Sequence, residues 1–345
     1  MMEKEFLDHF KAYIDLHLHL DGSLSEKTIK RLAKIQGIEL PKRKELEELM
    51  HVSDQCRDLN TYLEKFQFPL SLLQTKEALI ESLYSLEEEL KEQGLMYAEI
   101  RFAPQFHCSQ GLSQEEVVKA VLEGHKRSDF MAKIILCCIR MEDNEEENRE
   151  TISLAEKYRE QGICAIDLAG AEGIYPNEKF EQLFEEAKKR NIPFTIHAGE
   201  AMGAKSVESA LSYGPQRIGH GVRCTEETRI MDRIVKEKVT LELCPTSNLH
   251  TNIYGKLSQY PLLQLIDAGV PVTVNTDNMS VSNTSIKKEW MELVKTFSLE
   301  KKEMKKILQN SIEAAFLNQE EKNYLRKKLE AAIGEYEEYW YDSPL

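Results

Sequence analysis

Short apolar runs alternate with longer amphipathic segments along most of the chain. The apolar positions within the longer segments, such as 178–190 and 225–238, recur at helical spacing. Eight runs have the length of a β-strand, and they begin at Tyr13, Met96, Lys133, Ile163, Ile192, Arg217, Val239 and Val270. From the third run onward the starts lie about 20–30 residues apart, the size of one βα unit. This pattern predicts an α/β fold, a closed (β/α)8 barrel.

The interval between the first and second runs is too long for a single βα unit. We expect extra helices over about residues 24–90, which form a helical insertion or lid between strands 1 and 2, and amphipathic helices after Ser298. The apolar residues of the insertion could cover the barrel mouth or pack against its wall, and the sequence leaves both open for Phe66, Phe68, Leu70, Leu72 and Leu73. No linker divides residues 1–345, which predicts one barrel domain.

Composition narrows the class of protein. The 345 residues are 41% hydrophobic with a net charge of −14, which favours a globular protein and argues against nucleic-acid binding. No apolar run approaches the 18 or so residues of a membrane span, and the acidic start is unlike a secretory signal. The seven cysteines are odd in number and contain no CxxC pair, which argues against a disulfide framework and a cysteine zinc site. We expect a reduced, cytoplasmic protein without a membrane or an obligate protein partner.

The first strand carries an unusual set of polar residues. In DLHLHLD, alternation places Asp15, His17, His19 and Asp21 on one face and leucines on the other. Consecutive polar side chains inside a barrel would be costly unless something binds them. Two imidazoles at this spacing converge on one point, which suits a metal ion. The other histidines are expected to be ordinary core or surface residues: His9, His51, His107, His125 and His250.

Three later strands end in matching groups. The fifth ends in TIHAGE, with His197 and Glu200, and the sixth in IGHG, with His220 between two glycines. The eighth ends in VNTDN, with Asp277 and Asn278. Strand ends of a parallel barrel meet at one face, where active sites form.

Three imidazoles and one carboxylate suit zinc, and iron, cobalt and nickel accept the same ligand types. We predict a metal site of His17, His19, His197 and Asp277, with a fifth position for water. The ion would lower the pKa of that water from 15.7 to about 7. Glu200 and His220 are then titratable groups beside the metal, predicted to act in catalysis. The alternatives are that Glu200 orients a ligand histidine and that His220 ties strand ends together.

Missing motifs restrict the chemistry. The fourth run reads AIDLAGAE and has no lysine to bridge two metals, which favours a mononuclear site. The chain also lacks the signature of cytidine-type deaminases and the GxSxG, P-loop and GxGxxG motifs. Glu99, Arg101, Glu172 and Ser247 are expected to give buried polar support at the barrel ends.

Seven blocks of this sequence resemble, in order, those of the adenosine deaminase family of the amidohydrolase superfamily. They are HLHLDGSL, YAEIRFAPQ, DLAGAE, IHAGE, GHG, CPTSN and NTDN, and FQFPLSLLQT and NSIEAAFL are also similar. The resemblance covers nearly the whole chain. It implies a barrel with one zinc ion that hydrolyses adenosine, and also 2′-deoxyadenosine, to inosine and ammonia.

The resemblance also implies residue roles. His17, His19, His197 and Asp277 would bind zinc, with His19 also bordering the substrate. Asp21 would bind the ribose hydroxyls, and the N–H of Gly170 would meet purine nitrogen 3. Glu200 would protonate purine nitrogen 1, and His220 would hold and deprotonate the water that attacks position 6.

One position departs from the family pattern. Better-known members have a second acid after Asp277, whereas this chain has Asn278. An amide donates a hydrogen bond without protonation, so the contact with purine nitrogen 7 can survive. The departure leaves substrate preference open. An adenine or other aminopurine deaminase is therefore one alternative, although adenine deaminases tend to carry Glu where Asp21 stands, and a non-catalytic binding barrel is the other.

Overall fold

The computed structural model describes residues 2–53, 56 and 58–341, and eight parallel strands form its centre. Each predicted apolar run overlaps one of them. The strands are Tyr13–His19 (β1), Leu95–Phe102 (β2), Ala132–Arg140 (β3), Ile163–Gly170 (β4), Thr195–Ala198 (β5), Arg217–His220 (β6), Thr240–Leu243 (β7) and Val272–Val274 (β8).

Two four-stranded sheets close into one barrel. The order is β1-β2-β3-β4 in the first sheet and β5-β6-β7-β8 in the second. One seam is bridged between Ile166 and Phe194, and the other between Leu18 and Asp277. At the second seam the N–H of His19 donates to the carbonyl of Asp277 at 2.7 Å. The predicted (β/α)8 barrel is confirmed.

Helices surround the barrel and also fill the interval between β1 and β2. The α-helices are Met2–His9 (α1), Glu26–Gln36 (α2), Arg43–Met50 (α3), Leu59–Leu63 (α4), Gln67–Leu72 (α5), Lys76–Glu92 (α6), Gln114–His125 (α7), Glu145–Lys157 (α8), Glu181–Lys189 (α9), Ala204–Ser212 (α10), Thr228–Glu237 (α11), Pro245–His250 (α12), Leu262–Asp267 (α13), Ile286–Phe297 (α14), Lys301–Ala314 (α15) and Gln319–Tyr341 (α16). None of the helices in the described ranges is both long and apolar enough to cross a membrane.

Local sequence signals set the helix ends. Ser25 caps the start of α2 by accepting the N–H of Thr28, and Gly37 ends that helix in the left-handed conformation. Ser113 and Glu116 form a reciprocal capping box at the start of α7.

The core lies between the strands and the surrounding helices. Leu16 and Leu18 of β1 point outward into it and are fully buried, while the alternate residues Asp15 and His17 point into the barrel and are also fully buried. The barrel interior is therefore polar near the ends of the strands, and this is where the site forms.

The apolar residues of the insertion divide between two roles. Phe66 and Leu70 line the cavity at the barrel mouth. Leu72 and Leu73 are buried in the main core, and Phe68 packs against it. Both sequence alternatives therefore hold, each for different residues.

Candidate active site and metal centre

A cavity of about 290 Å³ opens at the carboxyl ends of the strands. Eight of the nine predicted site residues line it: His19, Asp21, Gly170, His197, Glu200, His220, Asp277 and Asn278. The ninth, His17, is fully buried with its ring centroid 4.5 Å from that of His197. The structure thus brings all nine together.

The four candidate metal ligands converge on one point. The Nε2 atom of His19 lies 3.4 Å from Nε2 of His197 and 3.4 Å from Oδ1 of Asp277. The Nε2 atom of His17 lies 3.5 Å from the same Asp277 oxygen. Ligand atoms at about 2.0–2.2 Å from a zinc ion are separated by roughly 3–4 Å, so these spacings fit. The buried Nε2 of His17 has no hydrogen-bond partner among the described residues, which fits a nitrogen atom that binds a metal ion.

A second combination of side chains meets the same distance criterion. It contains His17, His220, Cys244 and Asp277, whose ligand atoms also lie within 4.8 Å of one another. Burial and the negative charge of Asp277 raise the pKa of the Cys244 thiol well above its usual range, and metals bind the thiolate. His220 has partners at both ring nitrogens, with Asn248 3.0 Å from Nδ1 and Glu200 3.5 Å from Nε2. We therefore favour the set with His19 and His197.

Two of the candidate ligand histidines contact buried carboxylates through Nδ1, the ring nitrogen that faces away from the proposed metal. Glu242 accepts a hydrogen bond from Nδ1 of His17 at 2.7 Å, and Oδ2 of Asp167 lies 2.9 Å from Nδ1 of His197. Arg101 joins the two carboxylates, with 2.9 Å to each. Burial opposes ionisation of Glu242, but Arg101 and Arg217 outweigh it and hold its pKa well below the usual range. Such partners fix the ring orientation and increase the basicity of a ligand histidine.

Glu200 and His220 are neighbours in the cavity wall, with Oε2 of Glu200 3.5 Å from Nε2 of His220. Both are buried, with Glu200 only 4% exposed. Burial, followed by the negative charges of Asp277 and Glu172, raises the pKa of Glu200 well above its ordinary value. Burial, followed by the charge of His17, lowers the pKa of His220 well below its ordinary value. The raised pKa of Glu200 suits a proton donor, and the lowered pKa of His220 suits a proton acceptor.

The backbone at the strand ends is unusual. His220 and Asp277 adopt positive φ angles of 59° and 61°, which are uncommon for residues with a side chain. Strained conformations of this kind cluster at functional sites. At Gly219, an added Cβ would lie 2.9 Å from Cε1 of His17, so only glycine lets that ring lie against β6.

Two polar side chains of the cavity wall are unsatisfied. Oδ1 of Asp21 and Oδ1 of Asn278 are buried and have no hydrogen-bond partner in the described part of the chain. Burial raises the pKa of Asp21 to about 7. Asn278 packs directly on Gly22, where a Cβ would lie 1.9 Å from its Oδ1. These groups are available to a polar ligand in an otherwise largely apolar cavity.

The sequence analysis missed several residues that support the site. Asp167 and Glu242 could have been found, because both are inward polar positions in β4 and β7, the signal that identified His17. Asn248 follows β7 on α12 and carries no such signal. Arg101, Glu172 and Ser247 were expected only as general polar support, yet each contacts a specific part of the site. Ser247 donates to Oδ2 of Asp277 at 2.6 Å.

A closed barrel with histidine and carboxylate side chains that converge at its strand ends is typical of metal-dependent hydrolases of the amidohydrolase type. Comparison with known proteins agrees. The sequence profile described as "Adenosine deaminase" matches residues 13–332. The chain belongs to the adenosine deaminase family.

Individual relatives cover nearly the full length. An adenosine deaminase of Haemophilus ducreyi is 48% identical over 322 residues, which are 90% of this chain and 94% of that protein. An adenosine deaminase of Enterococcus faecalis is 40% identical over 92% of this chain and 96% of its own. Among solved structures, an adenine deaminase of Arthrobacter aurescens superposes with a TM-score of 0.83 at 28% identity, covering 94% and 99% of the two chains.

Proposed function

We propose that this protein hydrolyses adenosine, and also 2′-deoxyadenosine, to inosine and ammonia with one zinc ion bound per chain. The observation that carries the proposal is the convergence of His17, His19, His197 and Asp277 beside Glu200, a buried carboxyl whose pKa burial raises, in one cavity. Membership of the adenosine deaminase family supports the same substrate.

Each residue around the proposed metal site has a separate role in this reaction. When zinc is held by these four side chains, it lowers the pKa of water at the site to about 7. His220 holds the attacking water through Nε2 and takes up its proton, while Asn248 fixes the opposite edge of the ring. Glu200 donates its proton to purine nitrogen 1, so position 6 becomes electrophilic without a large uncompensated charge. The water oxygen bonds to position 6, and the proton that His220 took up passes to the amine, which leaves as ammonia. The remaining hydroxyl proton returns to Glu200 as inosine forms.

The wall of the cavity accounts for substrate binding. Asp21 binds the ribose hydroxyls, Gly170 offers its N–H to purine nitrogen 3, and Asn278 donates to nitrogen 7. The unsatisfied oxygen of Asp21 supports the first of these contacts. Arg140 is the single Lys or Arg among the described residues that line the cavity, which favours a nucleoside over a nucleotide. We also propose a single barrel domain with residues 24–90 as its helical insertion, working in the cytoplasm.

Substitution of Glu200 by Gln tests the mechanism. Removal of the proton donor should lower kcat by about 10²–10⁴-fold and leave the zinc content at one ion per chain. Ultraviolet absorbance of adenosine measures turnover, and elemental analysis measures zinc. Glu226→Gln, at a half-exposed carboxylate, is the control and should retain wild-type kcat. Unchanged turnover in Glu200→Gln would refute the assignment.

An adenine deaminase is the second candidate, favoured by the likeness to the Arthrobacter aurescens structure. Adenosine, deoxyadenosine, adenine and AMP should therefore be compared with the same preparation. We expect the highest kcat/KM on adenosine. Asp21→Ala should impair adenosine much more than free adenine, because adenine lacks the ribose; equal losses would remove this role for Asp21.

A further inference from the structure

Glu172 lies under the loop that carries Glu200. Its carboxylate accepts hydrogen bonds from four successive backbone N–H groups of residues 199–202, and Ser206 Oγ donates a fifth at 2.5 Å. The four backbone distances are 2.7 Å for Gly199, 3.1 Å for Glu200, 2.7 Å for Ala201 and 3.0 Å for Met202.

Successive N–H groups that point at one centre form an anion-binding concavity. The loop runs from the end of β5 at Ala198 to the start of α10 at Ala204, and Gly199 turns it with a φ of 70°. All five contacts to Glu172 come from donors, and an ionised carboxylate is an acceptor only. Glu172 is 1% exposed, so these donors replace the water that the carboxylate loses.

We propose that Glu172 is the positioning residue for Glu200, fixing the loop conformation that aims the Glu200 carboxyl at the substrate. This inference rests on the proposed function, in which Glu200 is the proton donor. Glu172 follows β4 in the sequence and Glu200 follows β5, so the contact ties together two neighbouring strand ends of the barrel.

Other residues anchor the flanks of this loop. Arg140 donates to the carbonyl of His197 at 2.6 Å on one side. Glu226 accepts the N–H of Ala204 at 3.0 Å on the other. Glu172 binds the segment between them, which contains Glu200. Loss of Glu172 should therefore misplace the proton donor while the metal ligands and α10 stay in place.

Glu172→Gln tests the proposal. The side chain keeps its shape, but its NH₂ group faces backbone donors that require an acceptor, so the loop must shift. We expect kcat on adenosine to fall by about 30–300-fold, since a displacement near 1 Å at a reacting group costs about 10²-fold. KM should change by less than about threefold, and zinc content should stay at one per chain. Hydrogen exchange of the peptide covering 199–202 should accelerate.

Glu226→Gln is the matched control, because it removes a carboxylate that caps the same loop four residues from Glu200. It should keep wild-type kcat and KM.

A double-mutant cycle separates positioning from general stability. When Glu172→Gln is combined with Glu200→Gln, it should cause little further loss of kcat, because Glu172 acts through the Glu200 carboxyl that this double variant lacks. Should Glu172→Gln fail to fold, Glu172→Asp should show a loss of about 5–30-fold with the same non-additivity.

The outcomes are distinct. A wild-type enzyme without turnover on adenosine would overturn the proposed function and this inference with it. An active wild type, an impaired Glu200→Gln and a Glu172 variant with kcat within threefold of wild type would overturn this inference alone. Fully additive losses in the cycle, or a loss confined to KM or zinc content, would also contradict it.

Discussion

Replacement of Glu242 by Gln tests the support beneath the proposed metal centre. One oxygen of Glu242 accepts the Nδ1–H of His17 at 2.7 Å and also pairs with Arg101 at 2.9 Å. The other oxygen pairs with Nε of Arg217 at 2.6 Å. Glutamine preserves the shape of the side chain and can still accept from His17, but the negative charge is lost and an NH₂ group faces one arginine.

The effect on the metal follows from the His17 contact. A carboxylate partner makes the imidazole a better ligand, and its loss typically weakens metal binding by about 10–100-fold. That corresponds to about 1.4–2.7 kcal/mol. Folding should also suffer, since loss of one member of a buried ion pair costs about 3–5 kcal/mol. Arg217 keeps its 2.6 Å contact with Glu99, so we expect a cost near the lower end, about 3 kcal/mol.

Zinc affinity is measured by competition with a chromophoric chelator, and folding by urea denaturation of the zinc-free protein. Glu87→Gln is the matched control. Glu87 is also a buried carboxylate that accepts from a histidine, His125, at 2.6 Å, and neither residue lines the cavity. It should lose stability without a change in zinc affinity. Equal zinc affinity in wild type and Glu242→Gln would refute the role assigned to this contact.

Three further predictions follow from the structure. Asn278→Asp should make KM rise with pH more steeply than the KM of the wild type, because a carboxyl must be protonated to donate to purine nitrogen 7; parallel profiles would remove this contact. Burial lowers the pKa of His107 to about 4, below its unfolded value of 6.5, so its contribution to stability is complete above pH 6.5 and is lost as pH falls toward 4. The loss at pH 5 should be about 2 kcal/mol in urea denaturation and absent in His107→Phe; equal pH dependence in both would contradict it. Zinc at 1,000 times its Kd should increase the free energy of unfolding of the metal-free protein by about 4 kcal/mol. The increase is measured as a rise in Tm, which His19→Ala should abolish.

Much of the barrel could be predicted from the sequence because parallel barrel strands are buried on both faces. Their apolar runs therefore stand out, and all eight were found near their true bounds. Helix ends were less certain. The segment 178–190 is a 3₁₀ turn over Asn177–Phe180 followed by α9, a division that apolar periodicity does not show.

The candidate site was accessible for a related reason. Histidines and acids at the ends of apolar strands are exceptions to the pattern, and barrel topology brings those ends together. Asn248 could not be found in this way, because it lies on α12 beyond β7 and reaches the site through the path of the backbone. The four N–H groups around Glu172 were also beyond reach, since backbone donors leave no mark in a sequence.

Anomalous diffraction at the zinc edge from crystals of metal-replete protein tests the central claim most directly. We predict one peak per chain, within about 2.0–2.2 Å of Nε2 of His17, His19 and His197 and of an Asp277 oxygen. A peak bound elsewhere in the chain, or none at this centre despite full zinc loading, would contradict it.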